Sequence, residues 1–227
     1  MSLTLYSHPL SSFCHKVFIA LYENDTPFTS HLVDFGDPDS TALLHRLWPM
    51  GKMPVLRDAA RSETIPETSI IIEYLEQHYP GPVPLLPNDE SLRLQTRLWD
   101  RFFDLHVQVP MQKIVGDRLR PENGKDVLGV ADAHASLRKA YALLEQHMAN
   151  RHWAIGDAFS LADCAAAPAL FYGSIVEPFP AAYGHLNAYF ERLLQRPSFK
   201  RVLNEARPWL AIFPFKEDVP ARFLRDN

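Results

Sequence analysis

Leu3-Thr4-Leu5-Tyr6-Ser7-His8-Pro9-Leu10-Ser11-Ser12-Phe13-Cys14-His15-Lys16-Val17 is the stretch that decides the fold of this chain. Leu3 to Tyr6 has the alternation of a short strand, and Pro9 interrupts it within a loop. From Ser11 the period changes: Cys14, Val17, Phe18 and Leu21 fall at i, i+3, i+4 and i+7, one apolar face of a helix. Two hydroxyls, Ser11 and Ser12, stand at the helix start, where unpaired backbone N–H groups converge and an anion is favoured.

Outward from this stretch, Phe28 to Asp34 is expected as a second strand, and Asp39 or Ser40 as the cap of a short helix carrying Leu43, Leu44 and Leu47. Val55 to Arg57 and Ser62 to Ile65 are expected as paired strands, with Pro54 at a strand entry where proline is tolerated. Pro66-Glu67-Thr68-Ser69 opens a helix through Tyr79, with Ile71 and Leu75 on its core face. The order is βαβαββα. The run Pro80 to Pro87 is neither helix nor central strand, and its prolines make it a stiff interdomain linker.

Beyond it the pattern is helical. Leu94, Leu98, Phe102, Leu105 and Val109 mark one long helix bent or ended near Pro110, and Ala133, Leu137, Ala140, Leu144 and Met148 the next. Ser160-Leu161-Ala162-Asp163 is a capping box with Asp in the acidic position, flanked by Phe159 and Cys164 as a hydrophobic staple. The helix it opens is apolar nearly all round, the signature of a domain centre. Tyr183 to Leu194 and Pro197 to Ala206 are the last helices, and the aromatic tail from Pro208 is expected to pack.

With 227 residues, 47% of them hydrophobic, the chain can bury a sizeable core. A net charge of -4 with no basic run disfavours nucleic acid as a partner. No apolar run reaches the ~18 residues of a membrane span. Two distant cysteines, Cys14 and Cys164, form no disulfide framework, so a cytoplasmic location is expected. The ten histidines are scattered without metal-ligand spacing, and no metal site is expected.

The Ser-x-x-Cys turn between strand and helix resembles a thioredoxin Cys-x-x-Cys whose first cysteine is serine. A thioredoxin-like unit, a Pro-rich linker and an all-helical second domain together resemble the soluble glutathione transferases. Four motifs carry the likeness. Ser11-Ser12-Phe13-Cys14-His15-Lys16-Val17 is similar to the Ser-type loop of the zeta and theta classes. Gly51-Lys52-Met53-Pro54-Val55-Leu56 resembles the family's cis-proline loop, Pro66-Glu67-Thr68-Ser69-Ile70 its Glu/Gln-Ser segment, and Gly156 to Asp163 its capping box. The resemblance covers about residues 3 to 205. It implies residues 1–80 as an α/β, thioredoxin-like glutathione-binding domain with a mixed four-stranded sheet, 81–87 as linker, and 88–227 as an all-α bundle carrying the electrophile pocket.

The resemblance further implies a homodimeric enzyme using glutathione as co-substrate or cofactor. Ser11, assisted by Ser12, matches the catalytic position. Lowering a thiol pKa of ~8.5 by about two units requires ~2.7 kcal/mol. A hydrogen bond to a charged group supplies ~1.5–3 kcal/mol and a helix N-terminus ~0.3–1, so one hydroxyl there suffices. Lys52, Met53, Pro54, Glu67 and Thr68 are the expected glutathione contacts, with Asp100 or Asp104 reaching toward the γ-glutamyl ammonium. Phe102, His106 and Met111 are expected to line the pocket for a small electrophile, joined by Pro110, Phe171 or Tyr172. Tyr6 is expected as core packing, Cys14 as a buried inert thiol and His15 as an exposed helical histidine.

The reaction expected is attack of the thiolate on an electrophilic carbon, in conjugation, isomerisation or dehalogenation. Two other readings are carried. One is a non-catalytic protein-binding module of the stringent-starvation-protein kind, and the other a glutathione-dependent thiol reductase using Cys14.

Overall fold

The computed structural model describes residues 2–224. Strand β1 (Leu3–Ser7) alternates buried and half-buried side chains, as a strand between two layers must. Helix α1 (Ser12–Glu23) follows, capped by Ser11, whose hydroxyl accepts the Cys14 N–H at 3.3 Å. Cys14, Val17, Phe18 and Leu21 are all buried, so the 3.6-residue period located the core face correctly.

Strands β2 (Thr29–Leu32), β3 (Val55–Asp58) and β4 (Glu63–Pro66) complete a sheet of order β2-β1-β3-β4. β2 runs parallel to β1, while β3 and β4 are antiparallel to their neighbours, with Leu5 opposite Leu56 and Leu56 opposite Ile65. The pleat sends Leu5, Leu56 and Ile65 into the main core with α1 and α3 (Thr68–His78). It sends Tyr6 and Val55 to a smaller cluster with Leu44 of α2 (Pro38–Leu47). Helix α2 starts earlier than expected. Asp37, not Asp39 or Ser40, is its cap, because Pro38 has a pre-set φ and no N–H to leave unpaired at the first helical position. Ser40 instead accepts the Asp34 N–H.

The proline-rich segment after α3 carries neither helix nor strand but is tied down. Val83 N–H donates to Asn24, and Leu85 accepts the Leu161 N–H. The helical part follows as α4 (Glu90–Phe102), α5 (Val109–Arg118), α6 (Val127–His147), α7 (Leu161–Val176), α8 (Gly184–Gln195) and α9 (Pro197–Ala206). α4 and α5 are one continuous rod joined by a π-helical turn, Phe103–Gln108, in which Val109 N–H reaches back to Asp104 O. Pro110 has no N–H and would crowd the preceding turn, and the widened turn accommodates it without ending the helix.

The largest departure from expectation lies on this rod. Leu94, Leu98, Leu105 and Val109 share a face, but it is 69%, 62%, 45% and 47% exposed. The core is filled from the other side by Thr96, Asp100, Phe103 and Val107. Helix α7, by contrast, is buried almost completely, as its all-round apolar sequence requires. It packs against α1, α4 and the π-helical turn. Its capping box forms: the Ser160 N–H and hydroxyl both donate to Asp163 Oδ2 at 2.9 Å, and Asp163 Oδ1 accepts from Ala154 N–H and the Tyr189 hydroxyl. Phe159 and Cys164 are buried beside it. In the tail, Phe213 is buried and packs on Tyr172, and Phe223 on Phe171.

Candidate functional site

Two cavities meet where the sheet domain faces the α4–α5 rod. The first, about 530 Å³, is lined by Lys52, Met53, Pro54, Glu67, Thr68 and Asp100 among others. The second, about 610 Å³, is lined by Ser11, Ser12, Met111 and Tyr172 among others. Met53 and Gln112 belong to both walls, so the cavities adjoin there. The structure thus gathers all five expected glutathione contacts on one wall and both candidate serines on the other.

The local reasons are plain in the chain. Ser11 leaves extended backbone (φ -74°, ψ 114°) just before the first turn of α1, at the positive end of that helix. Ser12 is buried on the same wall. The Met53–Pro54 bond is cis, as the resemblance implied. Glu67 precedes α3 with φ +67°, a left-handed conformation that costs a non-glycine residue ~1–3 kcal/mol and persists only where its surroundings hold it. Glu67 itself is exposed, while Thr68, the first residue of α3, is buried with its hydroxyl at a helix N-terminus.

Behind the first cavity lies a polar cluster that the sequence reading left unassembled. Lys16 Nζ is 2.6 Å from Asp100 Oδ1 and 2.9 Å from Asp104 Oδ2, and donates to Ser69 Oγ at 3.0 Å. Ser69 in turn donates to Asp100 Oδ2 at 2.6 Å. Lys16, Asp100 and Asp104 are all buried, and both aspartates line the cavity. Arg101, half exposed, is 3.5 Å from Asp104. Burial raises the Asp104 carboxyl above the usual range, with the Lys16 ammonium opposing the shift and Asp100 adding to it. Lys52, Arg97 and Arg101 line the same wall as Glu67 and Glu73, so with Lys16 behind it four cations face four carboxylates.

Three expectations are corrected. Phe102, His106 and Pro110 line neither cavity: Phe102 packs on Trp99, Phe103 and His106, His106 is exposed, and Pro110 is buried in the helix. Nine residues at about 100° each already put Phe102 and Met111 on opposite sides of an ordinary helix, so the two were never one lining face. Phe171 is core rather than lining, whereas Tyr172 does line the second cavity. His15 is not an exposed helical histidine. It is buried, one ring nitrogen sits 2.5 Å from Pro9 O, and burial pushes its pKa down to about 4.

Because the folded pKa of His15 lies below the unfolded value of 6.5, its neutral form favours the fold above that pH. The unfolded chain takes the proton first on acidification. Stability is therefore expected to fall as pH drops from about 6.5 toward about 4, by at most ~1.4 kcal/mol per unit. Denaturant titrations at pH 7 and pH 5 on wild type and His15→Leu check this: the variant should lose less between the two.

Tyr6 and Cys14 behave as expected. Tyr6 stacks at 4.7 Å on His31 and joins the smaller core cluster. The Cys14 thiol is wholly buried and pushed up to about 12. Trp48 and His8 are two of the wall residues that were not anticipated. Trp48 lines the first cavity, and its buried indole Nε1 has no hydrogen-bond partner among the described residues. His8 lines the second. The only signal in the sequence was their position, one in the loop before Ser11 and one before Gly51-Lys52.

Residues 5–83 match the family model described as the glutathione S-transferase N-terminal domain, and residues 102–197 match the C-terminal domain. A stringent starvation protein A homolog from Coxiella burnetii is 29% identical, covering 90% of this chain and 92% of its own. Glutathione S-transferase GstB of Escherichia coli K12 is 25% identical over 88% of this chain and 97% of its own. The crystal structure of a Methylobacillus flagellatus glutathione S-transferase with glutathione bound superposes with a TM-score of 0.81 at 25% identity, covering 88% and 98% of the two chains. Among the described residues no helix is long and apolar enough to cross a membrane.

Proposed function

Since this chain belongs to the glutathione S-transferase family, we propose that it binds glutathione in the first cavity and uses Ser11 to hold the thiol as thiolate for attack on an electrophilic carbon in the second. The observation that carries this reading is the placement of Ser11. It caps α1 on the wall of one cavity, and the adjoining cavity gathers Lys52, Met53, Pro54, Glu67 and Thr68. A thiolate at the junction meets a hydroxyl and the positive end of a helix together.

The rest of a γ-glutamyl tripeptide matches the first wall in charge. The α-carboxylate fits Thr68 at the start of α3, and the ammonium fits the carboxylates of Glu67, Asp100 and Asp104 on that wall. The glycyl carboxylate fits Lys52 and the Trp48 indole N–H. Residues 1–80 serve as the glutathione-binding domain, and the electrophile pocket is walled jointly by that domain and by the helical part, residues 88–227.

Calorimetric titration of glutathione from pH 6 to 9 tests the reading. Binding with proton release that Ser11→Ala abolishes is the expected result, and absence of binding at millimolar glutathione overturns it. In that case a second reading holds, a protein-binding module, which the 29% identity to a stringent starvation protein A homolog favours. A thiol reductase acting through Cys14 is disfavoured, because a buried thiol raised to about 12 is a poor nucleophile.

The protein acts as a homodimer in this proposal. Ile70, Leu94, Leu98, Leu105 and Val109 are exposed large hydrophobics on α3 and the α4–α5 rod, and Ile70, Leu105 and Val109 also line the first cavity. An apolar face of that kind on the surface is characteristic of a protein–protein contact. Leu98→Glu is expected to give monomers in sedimentation velocity where wild type sediments as a dimer. A wild-type monomer at micromolar concentration would refute it.

A further inference from the structure

The second cavity is apolar over most of its wall, with Leu10, Phe35, Met111, Val115 and Phe213. Against that background the loop before Ser11 places an imidazole. His8 lines the same wall as Ser11, and the two are tied together by the Ser11 N–H donating to His8 O at 2.9 Å. His8 Nδ1 accepts the Leu10 N–H at 3.1 Å. An imidazole nitrogen that accepts cannot carry the proton of the neutral ring, so the proton is on Nε2. The ring lies edge-on to Trp209 at 4.9 Å between centroids, which fixes its plane. The charged group facing it is Asp34, on the segment after β2 and also on this wall, and the neighbouring titratable ring is His15 of α1. Half-burial pulls the His8 pKa below its ordinary value against the effect of Asp34, which keeps the ring neutral.

Resting on the glutathione-binding reading above, we propose that His8 donates Nε2–H to an oxygen of the second substrate, which is an apolar electrophile whose oxygen receives the displaced electron pair: an epoxide or an α,β-unsaturated carbonyl. The glutathione sulfur forms a bond to carbon. In an epoxide the carbon–oxygen bond breaks and its pair stays on that oxygen. In an unsaturated carbonyl the double-bond pair moves toward the carbonyl oxygen. His8 stabilises the resulting oxyanion by hydrogen bonding without becoming an anion itself. The proton lost from the thiol on binding returns from solvent, so the reaction is a balanced addition with no leaving group. A preorganised donor is worth about 10²–10³ in rate when the charge develops on the atom it faces. It is worth far less when the charge departs on a halide.

The test compares three probes with glutathione: styrene oxide, benzylideneacetone and benzyl chloride. His8→Phe keeps a ring against Trp209 and removes the donor, while His8→Gln returns an amide N–H near the Nε2 position. The expected readout is the ratio of kcat/KM for each oxygen-bearing probe to that for benzyl chloride. His8→Phe should lower the ratio about 100-fold, and His8→Gln should restore most of it. Equal losses on all three probes would make His8 a packing residue and overturn the inference. So would a wild-type protein that turns over benzyl chloride but neither oxygen-bearing probe. Neither result touches the assignment of Ser11. Absence of glutathione binding in calorimetry overturns the proposed function first, and this inference with it.

Discussion

Ser11→Ala lowers kcat/KM for glutathione conjugation by about 10–100-fold at pH 7, with the deficit narrowing to a few-fold by pH 9. The Ser11 hydroxyl accepts the Cys14 N–H, which leaves its own proton free to point at a thiolate at the cavity junction. A hydrogen bond to an anion is worth ~1.5–3 kcal/mol, so its loss raises the bound thiol's pKa by about one to two units. At pH 7 that decreases the thiolate fraction in proportion. Well above the raised pKa both proteins hold thiolate and the difference closes. Stopped-flow measurement of bound thiolate absorbance across this range reads the shift directly. Loss of the cap also costs ~1 kcal/mol of stability, so the comparison is made well below the unfolding temperature. A larger loss in Ser12→Ala would move the assignment one residue along α1.

Lys16→Met destabilises the fold by ~3–5 kcal/mol, a large share of the ~5–15 kcal/mol that holds a domain of ordinary stability. Lys16 neutralises Asp100 and Asp104 across the boundary between α1 and the α4–α5 rod, all three away from water. Removing the cation leaves two carboxylates buried side by side with Ser69 as their neighbour. Adding Asp100→Asn and Asp104→Asn to Lys16→Met removes the stranded charge and is expected to recover part of the loss. Urea titration reads both effects. A Lys16→Met midpoint within experimental error of wild type would show that the cluster opens to solvent instead of staying buried.

What the sequence revealed and what it hid divide along a physical line. The start of α1, the capping box at Ser160 and Asp163, and the burial of α7 were legible because each is encoded by residues within about one helical turn of one another. Leu94, Leu98, Leu105 and Val109 were legible as a shared face but not as an outward one. Periodicity says which residues stand together and not what covers them. Met111 lines a cavity wall and Phe102 and His106 do not, because helical steps of about 100° turn both well away from Met111, and their shared apolar or aromatic character did not say which side met a cavity. The Lys16–Asp100–Asp104 cluster joins residues more than eighty positions apart, and no local pattern announces such a meeting. His15 belongs to the same class: its partner Pro9 is near in sequence, but its burial comes from the helical domain packed over α1.

The position of α7 has a consequence for synthesis. The face of α1 that carries Val17, Phe18 and Leu21 is translated first, yet the helix that covers the other side of α1 begins only at Leu161. A ribosome moving at about 5–20 residues per second needs roughly 7–27 seconds to make residues 24–160. For that interval the nascent sheet domain leaves the ribosome with the α7 side of α1 uncovered, although Asp100 and Asp104, the partners of Lys16, are made well before α7. Until its last third arrives, the newborn chain exposes the apolar surface of α1 that α7 covers in the fold.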